Sequence, residues 1–229
     1  DSAYFDKSIS YDLTYHNYRD FSIHSMIIAA EELTKRGYFV MRMGAIQREV
    51  LPSSNPMIID YASSPHRSDF GDIYLSSGCS AYIGSDSGIA CLPLIFRKPC
   101  CYVNFSLSIA DIIPKQRCSI LQPFITKHLF HKKKQRYLSV REMFKHGLYN
   151  ACRSSNFEEA GVEVISNTPE EICDLAIEVD KRLIGQWQPH PDDEALQQCF
   201  WDIFRENGSC EYGTLSNLEN SPVSIGSVF

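Results

Sequence analysis

The chain has 229 residues, 44% of them hydrophobic and 22% charged, with a formal net charge of −6. That size and balance fit a globular protein of one large domain, and the acidic excess argues against a nucleic-acid polymer as its main partner. No apolar run approaches the roughly 18 to 20 residues that a membrane-crossing helix needs.

The opening "DSAYFDKSIS" has no signal-peptide pattern, and the abrupt ends are read as those of a piece of a longer protein. From Asp20, "FSIHSMIIAAEELTKRGYFVMRMG" sets Ile23, Ile27, Ala30 and Leu33 at helical spacing. Asp20 or Ser22 can cap that helix, Gly37 can close it, and "YFVMRMG" follows as a strand. "MIIDYA" predicts a second strand, and "SDFGDIYLSSG" a helix with Phe70, Ile73 and Tyr74 on one face and Ser68 or Asp69 as its cap. "SAYIGS" is a strand, "SGIACLPLIFR" a helix and "PCCYVNF" another strand. Pro93 inside that helix removes a backbone bond, so a kink or a start later than Ser87 is expected.

"IADIIPKQRCSILQPF" is irregular, with room for one short strand, and "HLFHKKKQRY" gathers Lys132, Lys133, Lys134 and Arg136 in what reads as a solvated loop. The alternative for that loop is contact with an acceptor or a membrane surface. Ser139 with Glu142, and Thr168 with Glu171 after Pro169, spell two helix-start capping boxes. "EALQQCFWDIFRENG" is a third amphipathic helix, and the tail from Ser209 has little pattern. Short apolar strands separated by helices imply an α/β fold with a Rossmann-like parallel sheet, helices on both faces and further helices at the C-terminal end. Residues 1–185 are assigned to the Rossmann-like domain and 186–229 to a helical extension of the same unit.

Nine cysteines include no C-x-x-C pair, and Cys100 and Cys101 are adjacent, which suits reduced thiols in a cytosolic protein. Cys79, Cys91, Cys100 and Cys101 lie in apolar segments, where a thiol packs as a small hydrophobe. Seven histidines show no H-x-x-x-H or H-E-x-x-H spacing, so no protein-built metal site is expected.

The chemically suggestive stretch is "IGSDSGI", at a strand-to-helix turn. Ligands of parallel α/β sheets gather at such carboxyl ends, where glycines permit close approach and unclaimed amides face an anion. Ser85 and Ser87 add hydroxyls, Gly88 gives room, and Asp86 can accept from a sugar hydroxyl or cap the helix. The same residue types also serve any structural turn. Three arginines, Arg19, Arg42 and Arg67, fall near helix starts or strand ends, where a planar guanidinium suits phosphate oxygens. A carboxylate such as Asp60 or Asp69 is their structural alternative.

"YHNYRDFSIHSMIIAAEELTKRGYFVMRMG", "IIDYASSPHRSDFGDIYLSSGCSAYIGSDSGI" and "FRKPCCYVNF" together resemble a family of bacterial glycosyltransferase-like proteins associated with surface polysaccharide synthesis. More distantly, "RSDFGDIYLSSGCSAYIGSDSG" looks like the donor-site stretch of GT-B fucosyltransferases, and "DSGIACLPLIFRKP" is similar to a D-[ST]-G segment of heptosyltransferases. The resemblance covers most of residues 1–120 and implies the donor-binding half of a GT-B enzyme, preceded by a first strand that ends in a His-x-Arg segment. By that carry-over Ser85, Asp86, Ser87 and Gly88 line the diphosphate and sugar, Asp69 and Phe70 lie beside the base, and Arg42 is near the phosphates. Lys115 fits the family pattern without an assigned role.

The expected activity is sugar transfer from a nucleotide-diphosphate donor, used as co-substrate with no cofactor or metal, to a glycan or lipid-linked acceptor. The expected location is the cytoplasm, or the inner membrane face by peripheral contact. Arg19 and Arg42 are the candidate catalytic cations, and His16 the local candidate for a general base. Two rivals are a nucleotide-sugar 2-epimerase, from whose Ser-Asp-Ser-Gly-Gly stretch this chain departs at Ile89, and a non-catalytic nucleotide-sugar-binding module.

Overall fold

The computed structural model describes residues 14–106, 122–207 and 223–225; the opening "DSAYF" and residues 107–121, which hold Lys115 and most of the irregular stretch, lie outside the described residues. Two 3-10 turns, Thr14–Arg19 and Ile23–Met26, lead into α1 (Ile27–Lys35). Ser22 caps the second turn by accepting from the His24 amide, and Gly37 at φ 91° ends the helix in a conformation that glycine adopts without strain. β1 (Val40–Met41) and β2 (Ile58–Ile59) follow, each shorter than its apolar run predicts.

α2 (Asp69–Gly78) starts at its Ser68 cap and leads to β3 (Tyr82–Gly84). The next helix does begin late: Gly88–Ala90 is a 3-10 turn and α3 spans Cys91–Ile95, with Pro93 in its first turn, where a missing amide costs little. β4 (Cys100–Phe105) is buried along its whole length, and β5 (Gln122–Thr126) along most of it. Both capping boxes form, opening α4 (Val140–Lys145) and α6 (Pro169–Leu183). α5 (Ser154–Glu159) and α7 (Asp193–Asn207) complete the helices that matter for packing.

The fold is α/β with parallel sheets and helices. β1 and β2 pair in parallel as a separate ladder, while β3, β4, β5 and β9 (Val223–Ile225) form a four-stranded parallel sheet in that order. Both faces of β4 are covered. Cys101 and Val103 pack with Ile125 against Ala29 of α1 and Ile172, Leu175 and Val179 of α6. Cys100, Tyr102 and Phe105 turn the other way, toward Phe124, Leu94 of α3 and the aromatic face of α7, Phe200, Trp201 and Phe204. Burial on two sides explains why these strands read as continuous apolar runs without alternation.

Three expectations are corrected. Lys132–Lys134 do lie in an exposed turn, but that turn is the tip of a hairpin: β6 (His128–His131) and β7 (Arg136–Tyr137) flank it, and in it Gln135 takes φ 51° and donates its amide to His131 O. With β8 (Val162–Ile165) they form an antiparallel sheet that a purely parallel reading lacks. The apolar face of α2 does not enter the core. Phe70, Ile73 and Tyr74 are exposed, and the helix instead buries Asp72, paired with Arg67 at 2.6 Å, and Ser76. Cys91, grouped with packed thiols by its neighbours in sequence, is exposed, while Cys100 and Cys101 are buried.

Candidate functional site

The carboxyl ends of β3, β4 and β5 lie side by side, so the segments that leave them share one edge: Ser85–Gly88, Ser106 and Lys127. Parallel pairing forces this, since every strand of such a sheet ends on the same side. The turn Thr14–Arg19 comes to that edge from 67 positions away. Arg19 Nη2 donates to the Asp86 carbonyl at 2.6 Å and lies 3.2 Å from Asp86 Oδ2.

The Asp86 carboxylate is 97% buried by the complement of its 3% side-chain exposure. Burial of a lone carboxylate would be costly. Here it is met by Arg19 and by the Ser106 hydroxyl, which donates to Oδ2 at 2.9 Å. Tyr82 buttresses the turn from below: its hydroxyl donates to Ser85 O at 2.9 Å and lies 3.3 Å from Ser87 Oγ. Burial pushes the Tyr82 phenol far above its ordinary range, so it stays a protonated donor.

Around the buried Asp86 carboxylate, Ser85 and Ser87 are half-buried. Among the described residues no acceptor meets the amides of Ser85, Asp86, Ser87 or Gly88. Gly88 is exposed, and a Cβ placed there would meet nothing within 4 Å. Amides without a described acceptor, room at Gly88, two serine hydroxyls and a guanidinium are a fit for an anionic group that accepts several hydrogen bonds.

Lys127 is the residue the sequence reading missed. It stands just before the basic run and has no role in the sequence reading, yet it is 6% exposed and turns inward. Its Nζ donates to Asp20 O at 2.5 Å and Ser166 Oγ at 3.3 Å, fastening the Arg19 segment to the sheet end. The signal was positional: Lys127 directly follows an apolar strand, as Ser85 and Ser106 do. Burial lowers its ammonium to about 8, against the opposing attraction of Asp20 and Asp86.

A depressed lysine has a definite linkage sign. Between pH about 8 and 10.5 the unfolded chain holds a proton on Lys127 that the folded protein has released. Stability contributed by this group therefore rises with pH across that window. Lys127→Met is expected to flatten that part of the stability profile. Chemical denaturation of both proteins at pH 7.5 and 10 reads it, and equal pH slopes would contradict the assignment.

The other predicted residues are dispersed. Arg42 is not brought to the serine turn: it leaves the end of β1, donates to Glu49 O at 2.7 Å and pairs with Asp60 at 3.3 Å. The structural alternative for that arginine is thus the one observed. Arg67 is held by Asp72 and Asp69. Asp69 has a side chain 95% exposed, and Phe70 is exposed and stacked on Tyr74 with centroids 6.1 Å apart. His16 belongs to the Arg19 turn, its ring 4.0 Å from that of Tyr15. Burial first, then the charges of Arg19 and Arg153, hold its imidazole below the usual value, which favours the neutral base. Among the described residues no cluster of three or more His, Cys, Asp or Glu is arranged to hold a metal ion.

Compared with family models, curated proteins and solved structures, the chain matches none.

Proposed function

We propose that this chain is the donor-binding part of a metal-independent glycosyltransferase of the GT-B type, with the nucleotide diphosphate seated on the Ser85–Gly88 turn. The observation that carries the reading is the Arg19–Asp86 clamp, which fixes a turn whose four amides meet no acceptor among the described residues, at the carboxyl edge of a parallel sheet. Charge builds on the diphosphate as the glycosidic bond breaks, and donors fixed in advance stabilise it without reorganising. Arg19, Ser85 and Ser87 are the groups assigned to it, and Lys127 keeps Arg19 in place. His16, neutral at physiological pH and on the same turn as Arg19, is the base assigned to the acceptor hydroxyl. Arg42, Asp69 and Phe70 lie on the β1–β2 and α2 side, and their assignment to phosphate and base rests on the resemblance alone.

The test is calorimetry with UDP, GDP and their monophosphates, followed by transfer assays with the matching sugar donors. Diphosphates are expected to bind at least tenfold tighter than monophosphates, and Ser87→Ala to remove most of that difference. Release of nucleotide diphosphate should require an acceptor. Conversion of the sugar with no acceptor present would make the protein an epimerase, and equal affinity for mono- and diphosphates would end the reading.

A further inference from the structure

A cavity of about 310 Å³ opens between the β6–β7 hairpin, α4 and α7. Leu129, Leu138, Met143, Leu196, Phe200 and Ile203 are among the apolar residues of its wall. Three charged or imidazole side chains in that wall are committed elsewhere: Lys127 to Asp20 O and Ser166, His128 to Glu171 at 2.9 Å, and Asp193, which accepts from the His190 amide at 2.8 Å. The interior is therefore suited to hydrocarbon, in a volume at the lower end of the roughly 300 to 1,000 Å³ of ligand pockets.

The hairpin that walls the cavity with Leu129, Tyr137 and Leu138 also carries the basic run at its tip. Arg136 and Lys134 are taken up by Glu142, at 2.6 and 3.5 Å. Lys132 and Lys133 are exposed, and among the described residues neither has an ion-pair partner. They open the turn that directly follows β6, whose Phe130 is paired with Tyr137 at the cavity wall. On a chain of net charge −6, two uncommitted cations beside an apolar hole are a charge pattern that a neutral or cationic occupant would not need.

We propose that the cavity and hairpin bind an anionic amphiphile, a lipid phosphate whose hydrocarbon chain fills the cavity and whose phosphate meets Lys132 and Lys133. A phosphate presents several acceptor oxygens and more than one negative charge, which two flexible ammonium groups can meet together. Under the transferase reading this lipid would be the carrier of the acceptor; the binding itself does not depend on that reading, because it needs no nucleotide.

The full chain is titrated by calorimetry with dodecyl phosphate, dodecanol, inorganic phosphate and dodecyltrimethylammonium, each below its aggregation limit. Dodecyl phosphate is expected to bind saturably and at least tenfold tighter than the other three. Leu196→Trp, at an exposed wall position, fills the cavity and should weaken it tenfold or more. The double variant Lys132→Glu, Lys133→Glu should erase the preference over dodecanol. Nucleotide binding, measured in parallel, should be unchanged in both variants, so the two proposals fail separately. Equal binding of the cationic amphiphile, or inorganic phosphate binding as tightly, would overturn the inference. So would sedimentation with anionic phosphatidylglycerol vesicles that Leu196→Trp leaves unaltered, since that would mark a surface contact that bypasses the cavity.

Discussion

Replacing Arg19 with alanine is expected to lower the rate of sugar transfer by a hundredfold or more, the loss typical when one preorganised donor to a developing anion is removed, about 3 kcal/mol. Two effects combine. The guanidinium itself is lost from the rim, and among the described residues Asp86 keeps only the Ser106 hydroxyl as a direct partner for its buried carboxylate. The turn would then relax away from the geometry that aligns its amides. Arg19→Lys separates these contributions, because an ammonium restores charge on a shorter stem, without the planar fork whose Nη2 reaches both Asp86 O and Oδ2. Partial recovery by lysine, with circular dichroism unchanged, is the expected pattern. Full activity in Arg19→Ala would remove the clamp from the mechanism.

Asn167→Ala should be the most damaging single change to stability outside the apolar core. Asn104 and Asn167 bond reciprocally: each amide donates to the other's side-chain oxygen, at 2.6 and 2.7 Å, and Asn167 Nδ2 donates to Thr126 O at 2.8 Å. Asn104 is 0% exposed and Asn167 3%, so no solvent replaces what is lost. Truncation leaves the Asn104 amide and the Thr126 carbonyl without these partners. At about 1 to 3 kcal/mol for each buried unsatisfied group, the cost is about 3 kcal/mol. For a chain of this size that corresponds to a fall in Tm of about 10 °C. Urea denaturation of wild type and variant measures it directly, and a difference under 1 kcal/mol would show the latch to be redundant. The latch joins the ends of β4 and β5, so its loss should also loosen Ser106 and Lys127 beside it.

What the sequence conveyed, and what it withheld, follows from the range of the forces involved. The helix starts at Ser139 and Thr168 were legible because a capping box is complete within four residues. β4 was legible because burial on both faces leaves an uninterrupted apolar word. The hairpin was missed because its turn places Gln135, not glycine or asparagine, at positive φ, and its second strand has two residues. α2 shows that a helical period can be right while the buried face is wrong: the Arg67–Asp72 pair draws the polar side inward, and periodicity records spacing only. For the site, the turn and Arg19 were each visible, but their meeting spans 67 residues and depends on the whole sheet. Lys127 drew no reading, since burial of a lysine leaves no local trace in the sequence. Arg42 was drawn to its near neighbours Glu49 and Asp60.

One consequence of the packing concerns the order in which the molecule can be made. α1 is sandwiched against α6, and Arg36 and Tyr38 bond to Asp180 across 144 and 142 positions. A nascent chain that has emerged only as far as β5 therefore carries the apolar sides of α1 and β4 without the helix that closes over them. Loops of that length form contacts late and slowly, and sheet surface left waiting is prone to stick to other chains. Synthesis from the amino end should thus pass through a stage that depends on chaperones and ends when Leu183 clears the ribosome, whereas refolding of the finished chain meets both halves at once.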